Sequence, residues 1–517
     1  MKSKRYKISN IHLKVGDSWD KIPQLIEKKC GFLPGSIEKY KVVKESIDAR
    51  KKTNILKVYT VEFETKTNIT KRNQNFIEEV IPSASSPLIV GDLPLINRPI
   101  VVGFGPCGIF AALALAEAGY KPIIIERGAS MDQRVKDVND FWGKGHLNPE
   151  SNVLFGEGGA GTFSDGKLTT GIKDPKIKYI FKAFVESGAP QDILYKQKPH
   201  IGTDVLREVV VDLRNKIESL GGEVWFNTCM VDIKITNQSL ESIVVKKNNQ
   251  SLSIKTNSLI LAMGHSPRDS FELLVKVGID VVQKPLSIGI RIEHPQELID
   301  QSQYGAEDRL PPADYKLVHR CTNGRGVYSF CMCPGGEIIT TTTQEGSISV
   351  NGMSYRSRNS GKANAGILCD VQTSDFQSDE PLAGVDFQKR YESLAFKNGG
   401  GNFSPPQCTY KEFKESSPEG MKVRNSLPDF AVESLLEALP VFGKKIKGFD
   451  SHSAIIVGVE TRSSSPIRIN RGKDCQSNII GIFPAGEGAG FAGGITSAAC
   501  DGIRVAESLI AIYQKPQ

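Results

Sequence analysis

Three glycines, Gly103, Gly105 and Gly108, stand in the pattern G-x-G-x-x-G, with Pro106 and Cys107 between the second and third. The apolar run Ile100–Val102 precedes them and an Ala/Leu-rich stretch follows over 109–118. In a strand–turn–helix, the first glycine allows the tight turn, the second lets backbone approach a pyrophosphate, and the third lets helix and strand pack closely. Gly119 closes that helix, residues 122–125 form a second strand, and Glu126 ends it. A carboxylate there accepts hydrogen bonds from a ribose diol and repels a 2′-phosphate, so the ligand read from these residues is FAD or NAD rather than NADP.

A second glycine cluster, Gly156, Gly158 and Gly161, repeats the spacing, with Gly159 inside it and Thr162 after it. No apolar helix and no acid-ended strand follow, so it fails as a second nucleotide fold. It fits a loop lying against the pyrophosphate or ring of the first ligand, where only glycine permits close approach. Near the C-terminus, residues 481–502 read as a strand, a Gly486-Glu487 turn, a glycine-rich loop through Gly494 and a helix opening at Ile495 and Thr496.

Other groups able to do chemistry are His265, Arg268, Arg291, His294 and Arg462. A histidine moves a proton near neutral pH, and an arginine grips a carboxylate or phosphate with two parallel hydrogen bonds. Arg291 and Arg462 are placed on strand ends facing a substrate region. Cys331 and Cys333 are separated by one residue, a spacing that closes a strained disulfide ring, so they read as buried or pocket-lining thiols. No paired C-x-x-C and no H-E-x-x-H occurs, and no metal site is expected.

These groups need a large frame. At 517 residues the chain suggests two or three domains. Its 39% hydrophobic and 24% charged content is that of a globular protein. No apolar run approaches a membrane span, no signal peptide is apparent, and ten cysteines lack a disulfide-framework spacing. The expected compartment is the cytoplasm, with reduced thiols. Net charge is +7, and residues 1–80 alone carry 18 Lys and Arg against 10 Asp and Glu. That basic stretch reads as a solvated face of a small domain, with contact to nucleic acid or an acidic partner as the alternative.

In order, residues 1–95 read as a basic α+β module of βαββ type, with strands over 6–15, 40–47 and 55–63 and a helix over 19–30. Residues 81–87 read as its linker. A polar helix is expected over 131–147 and an amphipathic one over 203–220. A meander follows over 224–255, then a buried strand ending at Gly264. The fold class is α/β: a discontinuous Rossmann-like dinucleotide-binding domain (96–269 and 451–517), an FAD-binding one on the resemblance given next, with an inserted mixed, β-rich substrate domain (270–450).

Residues 481–502 resemble the C-terminal flavin motif of glutathione-reductase-like flavoproteins, with Glu487 where many of those carry Asp. Five further stretches are similar to the bacterial FAD-dependent dehydrogenases (NAD(P)/FAD-dependent oxidoreductases): Gly264-His-Ser-Pro-Arg-Asp, Gly289-Ile-Arg-Ile-Glu-His-Pro, Tyr328-Ser-Phe-Cys-Met-Cys-Pro-Gly-Gly, Asn351-Gly-Met-Ser and Gly458-Val-Glu-Thr-Arg-Ser-Ser-Ser-Pro. The likeness spans essentially the whole chain. It implies FAD, with Gly103, Gly105, Pro106, Cys107, Gly108, Glu126 and Arg127 at the ADP half. It also implies that Gly158, Gly159, Gly161, Thr162, Gly264, Gly486, Glu487, Gly494, Ile495 and Thr496 line the pyrophosphate, ribityl and ring region. The reaction implied is hydride transfer between FAD and an organic small molecule, with a separate electron donor or acceptor. NAD(P)H would enter only as a transient co-substrate, and His265, Arg291, His294 and Arg462 are the expected catalytic groups. An RNA-modifying flavoprotein and a non-catalytic flavin-bound scaffold are the competing readings.

Overall fold

A computed structural model describes residues 3–70, 75–81 and 88–516; of the expected linker over 81–87, residues 82–87 lie outside them. At its centre is a parallel sheet of five three-residue strands, in the order Ile482–Pro484, Leu259–Leu261, Ile100–Val102, Ile123–Ile125, Glu223–Trp225. The central strands are apolar throughout because helices cover one face and further strands the other. The segment 223–225, read from sequence as the start of the meander, is the fifth parallel strand. The meander proper runs Thr228–Thr236, Ser239–Lys247 and Gln250–Lys255.

Two helices cross in the core beneath the glycine loops, Pro106–Glu117 and Ile495–Ile510. They meet through glycine: a methyl group on Gly502 would run into the Cys107 carbonyl, and one on Gly108 into the Gly103 carbonyl. The third glycine of the fingerprint thus does the packing work expected of it.

The β-rich part is a six-stranded sheet in the order Val318–Arg320, Gly326–Pro334, Lys362–Val371, Leu286–Pro295, Ile455–Glu460, Gln407–Thr409. Its apolar face packs on the helices Ala383–Asn398 and Asp429–Lys445. The strand Ile455–Glu460, expected to open the returning nucleotide segment, instead pairs with Leu286–Pro295 inside this sheet. The chain comes back to the nucleotide sheet only after it. A residue's sheet is set by its distant partner, and alternation in one strand does not name that partner.

The N-terminal module is a four-stranded sheet, Lys39–Asp48, Leu56–Thr65, Lys4–Lys14, Ile77–Glu79, with the helix Ile22–Cys30 on it. The last strand was not read from sequence. The module is docked: Trp19 meets Tyr195 edge-on at 5.3 Å, and the Glu45 amide donates to the Tyr195 carbonyl at 2.7 Å. Among the described residues no helix is long and apolar enough to cross a membrane.

Gly502→Ala should lower the thermal midpoint in differential scanning calorimetry, reflecting a loss of about 1–3 kcal/mol, the usual cost of forcing a methyl into a filled contact. An unchanged midpoint would mean the two helices have slack at their crossing.

Candidate functional site

Two glycine turns face each other. The amide of Gly158 donates to the Phe104 carbonyl at 2.8 Å, and a methyl on Gly159 would come within 2.9 Å of the Gly105 Cα. Gly103, Gly156, Gly158 and Gly159 all have positive φ, a conformation that costs other residues more. The second turn is held from behind by Arg134, fully buried on the helix Met131–Lys144. Its guanidinium donates to the carbonyls of Asn152, Val153 and Glu157 at 3.0, 2.9 and 2.6 Å. Nothing in the local sequence marks Arg134 for this, since its acceptors lie one loop further on.

Between the turns and the six-stranded sheet lies a cavity of about 510 Å³, within the usual range for a cofactor-sized site. Of the residues expected at the cofactor, Gly103, Gly105, Pro106, Cys107, Glu126, Arg127, Gly159, Gly161, Gly264, Glu487, Gly494 and Ile495 line it. Five others stand behind the wall. Gly108 packs helix on strand, Gly158 sits against Thr162, and Gly486 sits against Cys107. Thr162 accepts through its carbonyl from Thr203, and Thr496 donates to the Leu168 carbonyl at 2.8 Å. For these five the spacing is right, but the side chain or Cα faces the protein.

Glu126 is tightly held. One carboxylate oxygen accepts from the Gly128 and Gly156 amides at 2.8 and 2.9 Å, and the other from the Phe104 amide at 2.9 Å. The second oxygen keeps a lone pair for a ribose hydroxyl. Arg127 lies over the Phe155 ring at 4.4 Å and bridges Glu150 and Asp269. Burial opposes its charge, but the two carboxylates outweigh that and raise its pKa. At the other end, the Gly486 amide donates to Asp501 at 2.8 Å, and Arg471 clamps Asp501 at 2.7 and 3.0 Å. This holds the turn that carries Glu487. Burial pushes the Glu487 carboxyl up to about 7 against the pull of Lys284.

The residues fit FAD. The helices Pro106–Glu117 and Ile495–Ile510 both open at the cavity from a glycine, and neither N-terminus has a side-chain cap. Uncapped amides and the positive helix end suit an anionic pyrophosphate or ring.

The four expected catalytic groups separate. His265 and Arg462 line the cavity. His265 is neutral near pH 7, because burial, then the nearby Arg462 charge, lowers its pKa to about 4. His294 does not reach the cavity: it is buried against Phe449, with Nε2 at 2.7 Å from the Phe449 carbonyl. Arg291 is fully buried and spent on protein: Glu460 at 2.8 and 3.1 Å, Asn364 at 2.6 Å, Asn351 at 3.1 Å and the Cys331 carbonyl at 3.2 Å. Both are corrected from substrate groups to core groups. Strand position alone did not show which face was covered.

Arg462 belongs to a buried cluster. Glu392, on the helix Ala383–Asn398, accepts from Arg462 at 3.0 and 2.9 Å and from Arg268 at 2.9 Å. Thr461 and Ser347 add hydrogen bonds at 2.8 and 3.3 Å. Burial raises the Glu392 pKa, but the two guanidinium groups outweigh it and hold the carboxyl at about 2, against an ordinary 4.5. Sequence reading passed over Glu392, together with Lys167, Phe330 and Asn351 on the cavity wall. Phe330 and Asn351 fall inside the Tyr328-Ser-Phe and Asn351-Gly-Met-Ser stretches already singled out, which was the available signal, and Lys167 lies just beyond the second glycine cluster.

Residues 285–463 match the family model described as "FAD-dependent protein, C-terminal domain-like", and residues 5–64 match a domain of unknown function, DUF8436. A Clostridium beijerinckii protein described as an uncharacterized protein is 44% identical over 539 residues, covering 99% of each chain. The chain belongs to the family of that protein. FAD is its cofactor, and flavin chemistry is redox chemistry, which makes this family member an FAD-dependent oxidoreductase. Among solved structures it is similar to the flavin-dependent brominase Bmp2 (TM-score 0.40, 10% identity, 80% of this chain and 79% of that one). It is also similar to a geranylgeranyl bacteriochlorophyll reductase-like protein of Thermoplasma acidophilum (TM-score 0.35, 14% identity, 81% and 79%).

Among the described residues, one group outside the cavity has metal-ligand chemistry, His319, Cys321 and Glu437. Each is already engaged: His319 meets Glu437 at 2.9 Å, Thr322 donates twice to Glu437, and Cys321 donates to the Ser434 carbonyl.

Glu392→Gln should destabilise the protein by about 3–5 kcal/mol in urea titration, because it leaves two buried guanidinium groups without a counter-charge. The acid limb follows from the lowered pKa. As pH falls, the unfolded chain takes up the Glu392 proton first, near 4.5. The stabilisation is therefore full above that pH and disappears toward about 2. That part of the wild-type acid loss should be missing in Glu392→Gln; an acid limb of equal size in both proteins would contradict it.

Proposed function

We propose that this protein is a dehydrogenase of the glutathione-reductase-like kind, moving a hydride between FAD and a small organic substrate admitted to the same cavity. The observation that carries this is the continuity of the cavity. One wall is the paired glycine turns of the nucleotide fold, and the other is Phe330 and Cys331 from the six-stranded sheet with Asn351 from the two-stranded sheet of Glu337–Thr341 and Ser349–Met353.

FAD supplies the hydride chemistry when bound. In this reading Gly103, Gly105, Pro106, Cys107, Glu126 and Arg127 hold its ADP half. Gly159, Gly161, Glu487, Gly494 and Ile495 hold the rest, with the positive end of the helix Ile495–Ile510 favouring negative charge on the ring. The six-stranded sheet supplies the substrate wall. Arg462 orients an acidic group of the substrate, its own position fixed by Glu392. His265, neutral and within 3.0 Å of the Ser266 hydroxyl, positions a polar group of the substrate through a hydrogen bond rather than taking its proton, because the burial that keeps it neutral also makes it a weak base. Only one parallel nucleotide-type sheet exists among the described residues, so a nicotinamide donor would use this cavity and leave before the organic substrate enters.

The test is anaerobic. FAD-loaded protein is titrated with dithionite, NADH and NADPH, and the flavin absorbance is followed. The reading expects full two-electron reduction by dithionite and reoxidation by an added small-molecule acceptor. A flavin that no donor reduces would contradict it. If NADH or NADPH reduces the flavin, that reduction should compete with a bound small carboxylate, because both need the same space.

A further inference from the structure

One group on the cavity wall is used neither to hold the cofactor nor to fix Arg462. It is the thiol of Cys331. The strand Gly326–Pro334 pairs with Lys362–Val371, and the register between them shifts between Phe330 and Cys333. In a regular strand, neighbouring residues point to opposite faces. Here Phe330 and Cys331 both line the cavity, because the bulge re-aims the second of them. Cys331 sits at φ 40°, a region that non-glycine residues seldom adopt. The bulge is pinned from beneath, where the buried Arg291 guanidinium donates to the Cys331 carbonyl at 3.2 Å and lies 4.0 Å from the Cys333 sulfur.

We propose that Cys331 is the nucleophile of this cavity, a thiolate that bonds covalently to an electron-poor carbon of a small organic molecule entering from solvent. In that step an Sγ–C bond forms, and either a leaving-group bond or one π bond of the electrophile breaks. The leaving group keeps the bond pair, or the carbon next to the attacked one takes a proton from water. No electron is gained or lost by the pair as a whole. The step does not depend on the hydride-transfer reading.

The surrounding charges favour this. Lys167 lines the cavity and makes no ion pair among the described residues. Arg291 lies behind the bulge. Three carboxylates also face the thiol, and each has its own cation: Asp165 with Arg358 at 3.0 and 2.6 Å, Glu460 with Arg291, and Glu487 with the nearby Lys284. The Cys333 thiol, buried beside Cys331, donates to the Cys331 carbonyl at 3.3 Å; this neighbouring thiol, with the Arg291 and Lys167 charges, lowers the Cys331 pKa despite its burial. The cavity provides two internal comparisons. Burial raises Cys229 to about 11 and Cys107 well above its ordinary value, although both also line the wall. Reactive cysteines occupy such electropositive, accessible places, whereas buried thiols without them are inert.

The experiment is site-resolved alkylation of the full chain, both FAD-loaded and flavin-free. Protein is treated with iodoacetamide between pH 6 and 9, and each of the ten cysteines is followed by peptide mass spectrometry. At pH 6.5 Cys331 should react about 100-fold faster than Cys229 or Cys107, the order expected when one thiol is ionised and the others are not. Cys331→Ser should remove that fast site and no other. Lys167→Met should slow it several-fold and move its pH midpoint upward. Flavin content is measured on the same samples, so a failure here is separable from a failure to bind FAD. Cys331 reacting no faster than Cys229 at pH 6.5 in wild-type protein, or with the midpoint of an ordinary free thiol, would overturn the proposal without recourse to any variant.

Discussion

The carboxylate of Glu392, shared between Arg268 and Arg462, is the interaction on which the rest of this structure depends. Arg268 follows the strand Leu259–Leu261 of the nucleotide sheet, Arg462 follows the strand Ile455–Glu460 of the six-stranded sheet, and Glu392 sits on a helix packed against the latter. Three charges without water are costly unless they satisfy one another. The two sheets therefore cannot slide or separate without exposing or stranding charge. A second buried pair, Arg291 with Glu460, lies one strand over, and glycines make room for it. A methyl on Gly352 would run into the Arg291 guanidinium, and one on Gly366 would come within 2.6 Å of the Glu460 carboxylate.

The cavity is a consequence of this arrangement. Its nucleotide side is built by local rules: glycines at positive φ, two helices that start without side-chain caps, and an acid at a strand end. Its other side is built by long-range pairing, because the residues on it are aimed by strands whose neighbours are distant in sequence. Arg291 serves both ends of that logic. It neutralises Glu460 in the core and, through the Cys331 carbonyl, fixes the bulge that turns a thiol toward the cavity.

What the sequence made legible follows the same division. The fingerprint from Ile100 to Glu126, the amphipathic helix at Thr203–Ser219 and the C-terminal strand–loop–helix could be read because each is a local pattern with a local cause. The first three strands and the helix of the N-terminal module were readable to within a few residues for the same reason, whereas the short strand Ile77–Glu79 was not. The strand Ile455–Glu460 was recognised as a strand but given to the wrong sheet, since its pairing with Leu286–Pro295 is non-local. Arg291 and His294 looked like substrate groups because a lone Arg or His on a strand carries no sign of its partner, here Glu460 169 residues away and the Phe449 carbonyl 155 away. Glu392 was invisible for the converse reason: an acid on a helix is ordinarily a solvated one. Its partners lie 124 and 70 residues away.

The measurement that tests the account most directly is the cofactor itself: the amount and identity of flavin released from protein purified without added cofactor, or after reconstitution. The account predicts one FAD per chain, released as FAD on denaturation, with Glu126→Ala protein holding several-fold less at the same FAD concentration. A protein that takes up no flavin, or one that holds FAD equally well without the Glu126 carboxylate, would contradict the placement of FAD in this cavity.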